Sequence, residues 1–143
     1  ASVHAVHNFR AHLTGQAEVP AVDTRARGQA SFQLSADGMS LSYRLIVANI
    51  EDVLMSHIHM APAGQNGGVV AWLYPSGPPP QLIKGRFSGV LATGTITADD
   101  LTGALAGEPL SALVDAMQAG NTYVNVHTTA VPSGEVRGQI SGG

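Results

Sequence analysis

His57-Ile58-His59 is the stretch of this sequence best suited to chemistry. In an extended strand, residues i and i+2 project from the same face, so both imidazoles point the same way with their backbones about 6–7 Å apart. Two such rings can converge on one ion, each giving a nitrogen at about 2.0–2.1 Å. A third imidazole comes from far along the chain, in Tyr123-Val124-Asn125-Val126-His127-Thr128, where Tyr123, Asn125 and His127 share one face and Val124 and Val126 the other. If the two segments are neighbours, His57, His59 and His127 form a three-histidine metal site. All three lie in apolar β segments, where an unpaired imidazole needs a partner to offset its desolvation. The competing reading is three separate histidines, each satisfied by its own hydrogen bonds.

Nitrogen ligation suits copper, zinc, nickel or iron. The chain has no cysteine, which excludes a disulfide framework, thiolate zinc sites, the blue-copper arrangement and a cysteine nucleophile. What remains is a type-2 copper or a zinc site with an open fourth position, copper being the first choice. Met55 shares the face of the pair and could offer a thioether to Cu(I), or simply fill core space. Glu51 and Asp52 are near enough in sequence for carboxylate ligation. His4 and His7 read as solvated and His12 as an ordinary strand residue. Other chemistries find little support: there is no Gly-x-Ser-x-Gly elbow, and Gly64-Gln65-Asn66-Gly67-Gly68 lacks the lysine of a phosphate cradle. Trp72 and Tyr74 read as core or edge aromatics, and Arg137 as a strand-surface charge that could also draw an anion to the metal.

Strands must position these residues. The 143 residues fit one domain, 1–143, able to bury a core without staples. With 17 glycines, 8 prolines and only 12% charged residues, the composition excludes a coiled coil or a disordered tail and points to a turn-rich all-β protein. A net charge of -3 and a single lysine, Lys84, leave no basic stripe for nucleic acid. No apolar run is long enough to span a bilayer. Alternation at Ala30, Phe32 and Leu34 and again at Leu41, Tyr43, Leu45 and Val47, around Asp37-Gly38, predicts an antiparallel hairpin. Further strands are predicted over 6–14, 53–60, 69–74, 82–95, 123–128 and 135–140, with Gly85, Gly89 and Gly94 as bulges or bends in 82–95. Thr97 with Asp99 and Asp100 reads as a helix start, and Leu110, Leu113, Val114 and Met117 after Pro109 predict one short helix over about 108–119. About eight strands and one helix predict an antiparallel Greek-key sandwich or barrel. Asn66-Gly67 and Ser133-Gly134-Glu135 read as turns that could rim a metal pocket.

Several blocks carry a family resemblance: Phe9-Arg10-Ala11-His12-Leu13-Thr14-Gly15 with Glu18-Val19-Pro20, Ser56-His57-Ile58-His59 followed by Gly64-Gln65-Asn66-Gly67, and Gly94-Thr95-Ile96-Thr97. The most specific is Tyr123-Val124-Asn125-Val126-His127-Thr128 with Pro132-Ser133-Gly134-Glu135-Val136-Arg137-Gly138-Gln139. Together they resemble the CHRD domain, named after chordin, over nearly the whole chain. The resemblance implies an all-β, exported domain, and by way of chordin a protein-interaction module. His-x-His with a distant strand histidine is also similar to the copper site of copper–zinc superoxide dismutases, though that family's zinc loop and disulfide have no counterpart here. The start Ala1-Ser2-Val3-His4 is neither a signal peptide nor a methionine start, so a cleaved signal and a periplasmic or extracellular location are expected. The expected function is copper binding at His57, His59 and His127, with superoxide, peroxide or dioxygen as substrate, or storage and delivery with a metal-delivery partner. The alternative is an interaction module that can form a homodimer through an exposed edge or patch.

Overall fold

The structure, a computed structural model, describes residues 7–142. Its organising element is β3 (Leu41–Met60), a single strand of 20 residues. The sequence predicts two segments here, because alternation breaks down over 48–52. The chain instead bends and continues. Asn49 and Asp52 take left-handed φ angles of 57° and 54°, a region that Asn and Asp enter more readily than other side-chain-bearing residues. Neighbours pin the bend on both sides: Asn49 N–H donates to Ser88 Oγ (3.0 Å), Gly85 N–H donates to Asp52 Oδ1 (2.8 Å), and Thr129 N–H donates to the Asp52 carbonyl (3.1 Å).

The bend lets one strand serve two sets of partners. Its first half pairs with β2 (Arg27–Leu34) and β5 (Ile83–Ile96), its second half with β4 (Gly68–Tyr74) and β6 (Thr122–Thr128). β2 also pairs with β1 (Asn8–Thr14), and β6 with β7 (Val136–Gln139). Thr14 opposite Arg137 joins β7 to β1 and closes the ring β1–β2–β3–β6–β7. All pairings are antiparallel, and of the two predicted architectures the chain adopts the barrel. β8 (Ser141–Gly142) adds to β1, while β4 and β5 pair with β3 alone. The register of β5 shifts between Leu45 and Ile46, between Val47 and Ile50, and between Glu51 and Val53, close to where its glycines predict irregularity.

Inside the barrel, Phe9, Leu13, Phe32, Leu41, Leu45, Ile58, Val124, Val126 and Ile140 form one buried cluster. Helix α1 (Leu110–Gln118), starting after Pro109, adds Leu113, Val114 and Met117 to it. Thr97 begins a single 3-10 turn over Ala98–Asp100, with the Asp100 side chain accepting from the Thr97 N–H at 2.9 Å. Asp100 thus closes a capping box in a single 3-10 turn that ends at Leu101, not in the first turn of an α-helix.

Closure of the barrel depends on Gly138 in β7. A Cβ there would run into the His12 carbonyl oxygen and carbon of β1, so only glycine allows the two backbones to approach. Gly138→Ala is expected to lower unfolding stability by at least about 1–3 kcal/mol, the usual range for overpacking, as read from the denaturant midpoint. An unchanged midpoint would show that the seam relaxes freely.

Candidate metal centre

Pairing between β3 and β6 builds the site. In their register Met55 faces His127, His57 faces Asn125, and His59 faces Tyr123, while Ile58 and Val124 pair on the core side. The alternation turns Ile58, Val124 and Val126 into the barrel and these six polar or soft side chains onto its outer face. β7 extends that face with Arg137 opposite Asn125 and Gln139 opposite Tyr123. β4 brings Trp72 opposite His57. An outer face would ordinarily be wet, yet every residue of β6 is buried. The connections 15–22, 61–67 and 129–135 fold over it.

The three predicted histidines meet there. His57, His59 and His127 are 2%, 7% and 6% exposed, and one potential ligand atom from each lies within 4.8 Å of the other two. His57 Nδ1 and His127 Nε2 are 3.2 Å apart, within hydrogen-bonding distance. The covering connections fix the rings through their far nitrogens. His59 Nδ1–H donates to the Gly67 carbonyl (2.9 Å), and His127 Nδ1–H to the Pro132 carbonyl (2.8 Å). With both Nδ1 atoms protonated, the neutral rings of His59 and His127 turn their Nε2 lone pairs to the site. His57 Nδ1–H can then donate to His127. His57 Nε2, His59 Nε2 and Asn125 Oδ1 remain buried without a partner. Each is an acceptor in those tautomers, and a cation is what would satisfy such a group of lone pairs.

Electrostatics favours neutral, metal-ready rings. Burial pushes His57 down to about 3, with the neighbouring His127 and His59 rings acting in the same direction. Burial pushes His59 down to about 4, against the Gly67 carbonyl and the Asn125 side chain, which favour its charged form, and alongside His127 and Arg137, which do not. Asn125 acts there as a nearby dipole, since neither its Oδ1 nor His59 Nε2 reaches hydrogen-bonding geometry. Burial also lowers His127, against the Pro132 carbonyl.

Aromatic contacts complete the packing. The His59 ring stacks on Tyr123 at 4.9 Å with 6° between planes, and the Arg137 guanidinium carbon lies 3.4 Å from the Tyr123 ring centre. Arg137 is no surface charge: it is 1% exposed. Its fork donates to Asn66 Oδ1 (3.2 Å), to the Pro62 and Gln65 carbonyls (3.2 and 2.7 Å) and to Gln139 Oε1 (3.2 Å). It therefore clamps connection 61–67, whose Gly67 carbonyl holds His59. Trp72 meets His57 edge-on at 4.2 Å, so it borders the site and does more than fill the sheet edge.

Other sequence candidates lie elsewhere. Glu51 pairs with Arg86 at 3.1 Å on the surface, and Asp52 is engaged by Gly85 at the bend, so neither joins the cluster. Met55 is half-buried opposite His127. His7 and His12 are exposed, and His4 falls outside the described residues. Sequence reasoning missed Asn125 and Glu18 as site residues. Asn125 shares the predicted face with His127, a usable signal, whereas Glu18 sits in a connection with no periodicity to mark it.

Residues 9–140 match the family model of the CHRD domain. The chain belongs to the CHRD domain family. The match includes His57, His59 and His127 and excludes His7. No curated protein and no solved structure matches this CHRD chain.

Two outcomes follow from this geometry. His57 and His59 take up protons in the unfolded chain near their ordinary value of 6.5 but in the fold only near 3 and 4. Their contribution to stability is therefore full above about pH 6.5 and is lost as the pH falls toward 4. Denaturation of chelator-treated protein across that range should show the midpoint falling with pH, and a flat profile would contradict the buried neutral rings. Arg137→Lys, which cannot reproduce the fork, should weaken metal binding by about 10–100-fold, measured by competition with a chromophoric chelator.

Proposed function

We propose that this CHRD domain binds one transition-metal ion through His57, His59 and His127, copper in preference to zinc. The observation that carries the reading is the convergence of three buried imidazoles, two of which, His57 and His59, keep an Nε2 with no hydrogen-bond partner. Copper(II) binds nitrogen sites more tightly than zinc(II), and among the described residues no carboxylate joins the cluster. Copper bound there would supply one-electron chemistry toward superoxide, peroxide or dioxygen. The chain's own part is to keep the rings neutral, to aim them by backbone carbonyls, and to admit only small ligands to a buried centre. Rings anchored this way fit a resident ion better than one in transit, which disfavours storage and delivery. CHRD domains occur in secreted proteins, and no helix among the described residues is long and apolar enough to cross a membrane. A periplasmic or extracellular location agrees with both.

A second reading, an interaction module, draws on Ile46 and Val90, which pair across β3 and β5 and are both exposed. Size-exclusion chromatography with and without chelator separates the two, since a surface formed by these residues should be indifferent to metal.

Trp72 is the only tryptophan, and its contact with His57 makes it a direct reporter. Titration with Cu(II) should quench its fluorescence with an end point at one equivalent and give a type-2 paramagnetic resonance signal with nitrogen hyperfine structure. His57→Ala, His59→Ala and His127→Ala should each weaken binding beyond the about 10–100-fold that follows loss of an outer-sphere partner. One tight copper retained in all three variants, or no specific binding by the parent protein, would rule the site out.

A further inference from the structure

The metal reading leaves Glu18 unexplained. It is 7% exposed, and its Oε2 has no hydrogen-bond partner. Asn125, 2% exposed, has an equally unpartnered Oδ1. Gly134 lies between them. Its φ is +126°, and a Cβ there would stand 2.6 Å from Glu18 Oε2 and 2.7 Å from Asn125 Nδ2. The missing Cβ thus lets the carboxyl and the amide close on the Gly134 backbone from two sides. This contact adjoins the site, because Asn125 faces His57 across the strands and acts on the His59 ring.

Charge around the carboxyl is unevenly arranged. Arg137 on β7 is the cation that acts on it, yet its fork is taken up by connection 61–67 and Gln139. Glu135, next to Gly134, is occupied by the Thr24 and Thr128 hydroxyls at 2.7 and 2.8 Å. β3 and β6 contribute His57, His59, His127 and Tyr123 to the face around Asn125, and Asp23 in Glu18's own connection is exposed. A buried carboxylate without a donor costs several kcal/mol of desolvation, and holding the proton removes that cost. Burial accordingly pushes Glu18 up to about 7, with Arg137 pulling the other way. An unpaired buried acid beside a candidate centre is the pattern expected of a group kept for proton exchange.

We propose that Glu18 is the proton-holding group of the three-histidine site, giving its Oε2 proton to an anionic oxygen ligand arriving beside Asn125. The proton leaves Oε2 and joins the ligand oxygen, and the carboxylate left behind faces Arg137. No electron moves in this step. Glu18 lies outside the histidine cluster, so its role is distinct from ligation, though the proposal rests on the metal reading for the ligand's presence.

Infrared spectroscopy of metal-free protein tests the first half. A carboxylic-acid carbonyl band should be present at mildly acid pH, disappear with a midpoint near 7, and be missing from Glu18→Gln. Azide, a small anion, probes the second half in copper-loaded protein. Its affinity should fall about tenfold per pH unit above the same midpoint, and Glu18→Gln should remove that dependence while Trp72 quenching still reports one copper. Glu18→Asp, which withdraws the carboxyl by one methylene, should shift the midpoint and covers a folding failure of Glu18→Gln. A band lost in the ordinary carboxylate range, or azide affinity with the same pH dependence in both proteins, would overturn the proposal while leaving the metal site standing. Absence of copper binding in the parent protein would overturn both.

Discussion

The bend in β3 is the constraint on which the rest of the molecule depends. A straight strand of that length would carry its second half away from the barrel. With Asn49 and Asp52 in left-handed conformations, the strand leaves one pair of neighbours and joins another without interrupting its pairing. The same turn hands the apolar residues of both halves to a common core and lays His57 and His59 alongside β6. Left-handed backbone at two side-chain-bearing residues is unfavourable in isolation, by about 1–2 kcal/mol for an average residue. Here three hydrogen bonds hold it, one donated to Ser88 and two received from Gly85 and Thr129. Barrel closure and the histidine cluster therefore share one structural cause.

Around that cluster the molecule shows a consistent division of labour. Strands set the spacing of the imidazoles, and loops set their orientation. The Gly67 and Pro132 carbonyls fix two rings through their outward nitrogens, an arrangement that settles tautomer and direction together. Arg137 supplies rigidity to one of those loops from beneath, and its stack through Tyr123 reaches His59 from the other side. Polar groups are concentrated on the outer face of the barrel, where short connections can reach them. The interior is mostly apolar, and the buried Ser56 hydroxyl there donates to the Asn125 carbonyl.

Much of this was legible in the sequence because it follows from period two. The hairpin of β2 and β3 has the register its alternation predicts, and the common faces of His57 with His59, and of Tyr123 with Asn125 and His127, need only the geometry of a strand. Adjacency of β3 and β6 was not legible, since pairing between distant segments leaves no local trace; their meeting was conditional until the fold supplied it. Ala48–Asp52 hid the continuity of β3 because a bend breaks alternation just as a loop does. Arg137 misled for a related reason. A charged residue alternating with Val136 and Gly138 has the pattern of a wet face, and only the loop folded over it reveals the burial. Thr97 with its aspartates carries a true capping signal, but the same chemistry caps a single turn as readily as a helix.

β4 and β5 pair only with β3, and this has a bearing on solubility. A strand with a free side offers unpaired amides and carbonyls to any other extended chain, which is how sheets grow into aggregates. On β4 that side is guarded: Thr102 N–H donates to the Val70 carbonyl at 2.9 Å, and Gly103 packs against the Val69 carbonyl. β5 has a different protection, with positive-φ glycines at 85 and 89 and charges at Lys84 and Arg86 that break up its first half. The stretch from Val90 to Ile96 is then the most regular border left for a further strand. Any recruitment of this domain into a larger sheet would begin there, at the opposite end of β3 from its histidines.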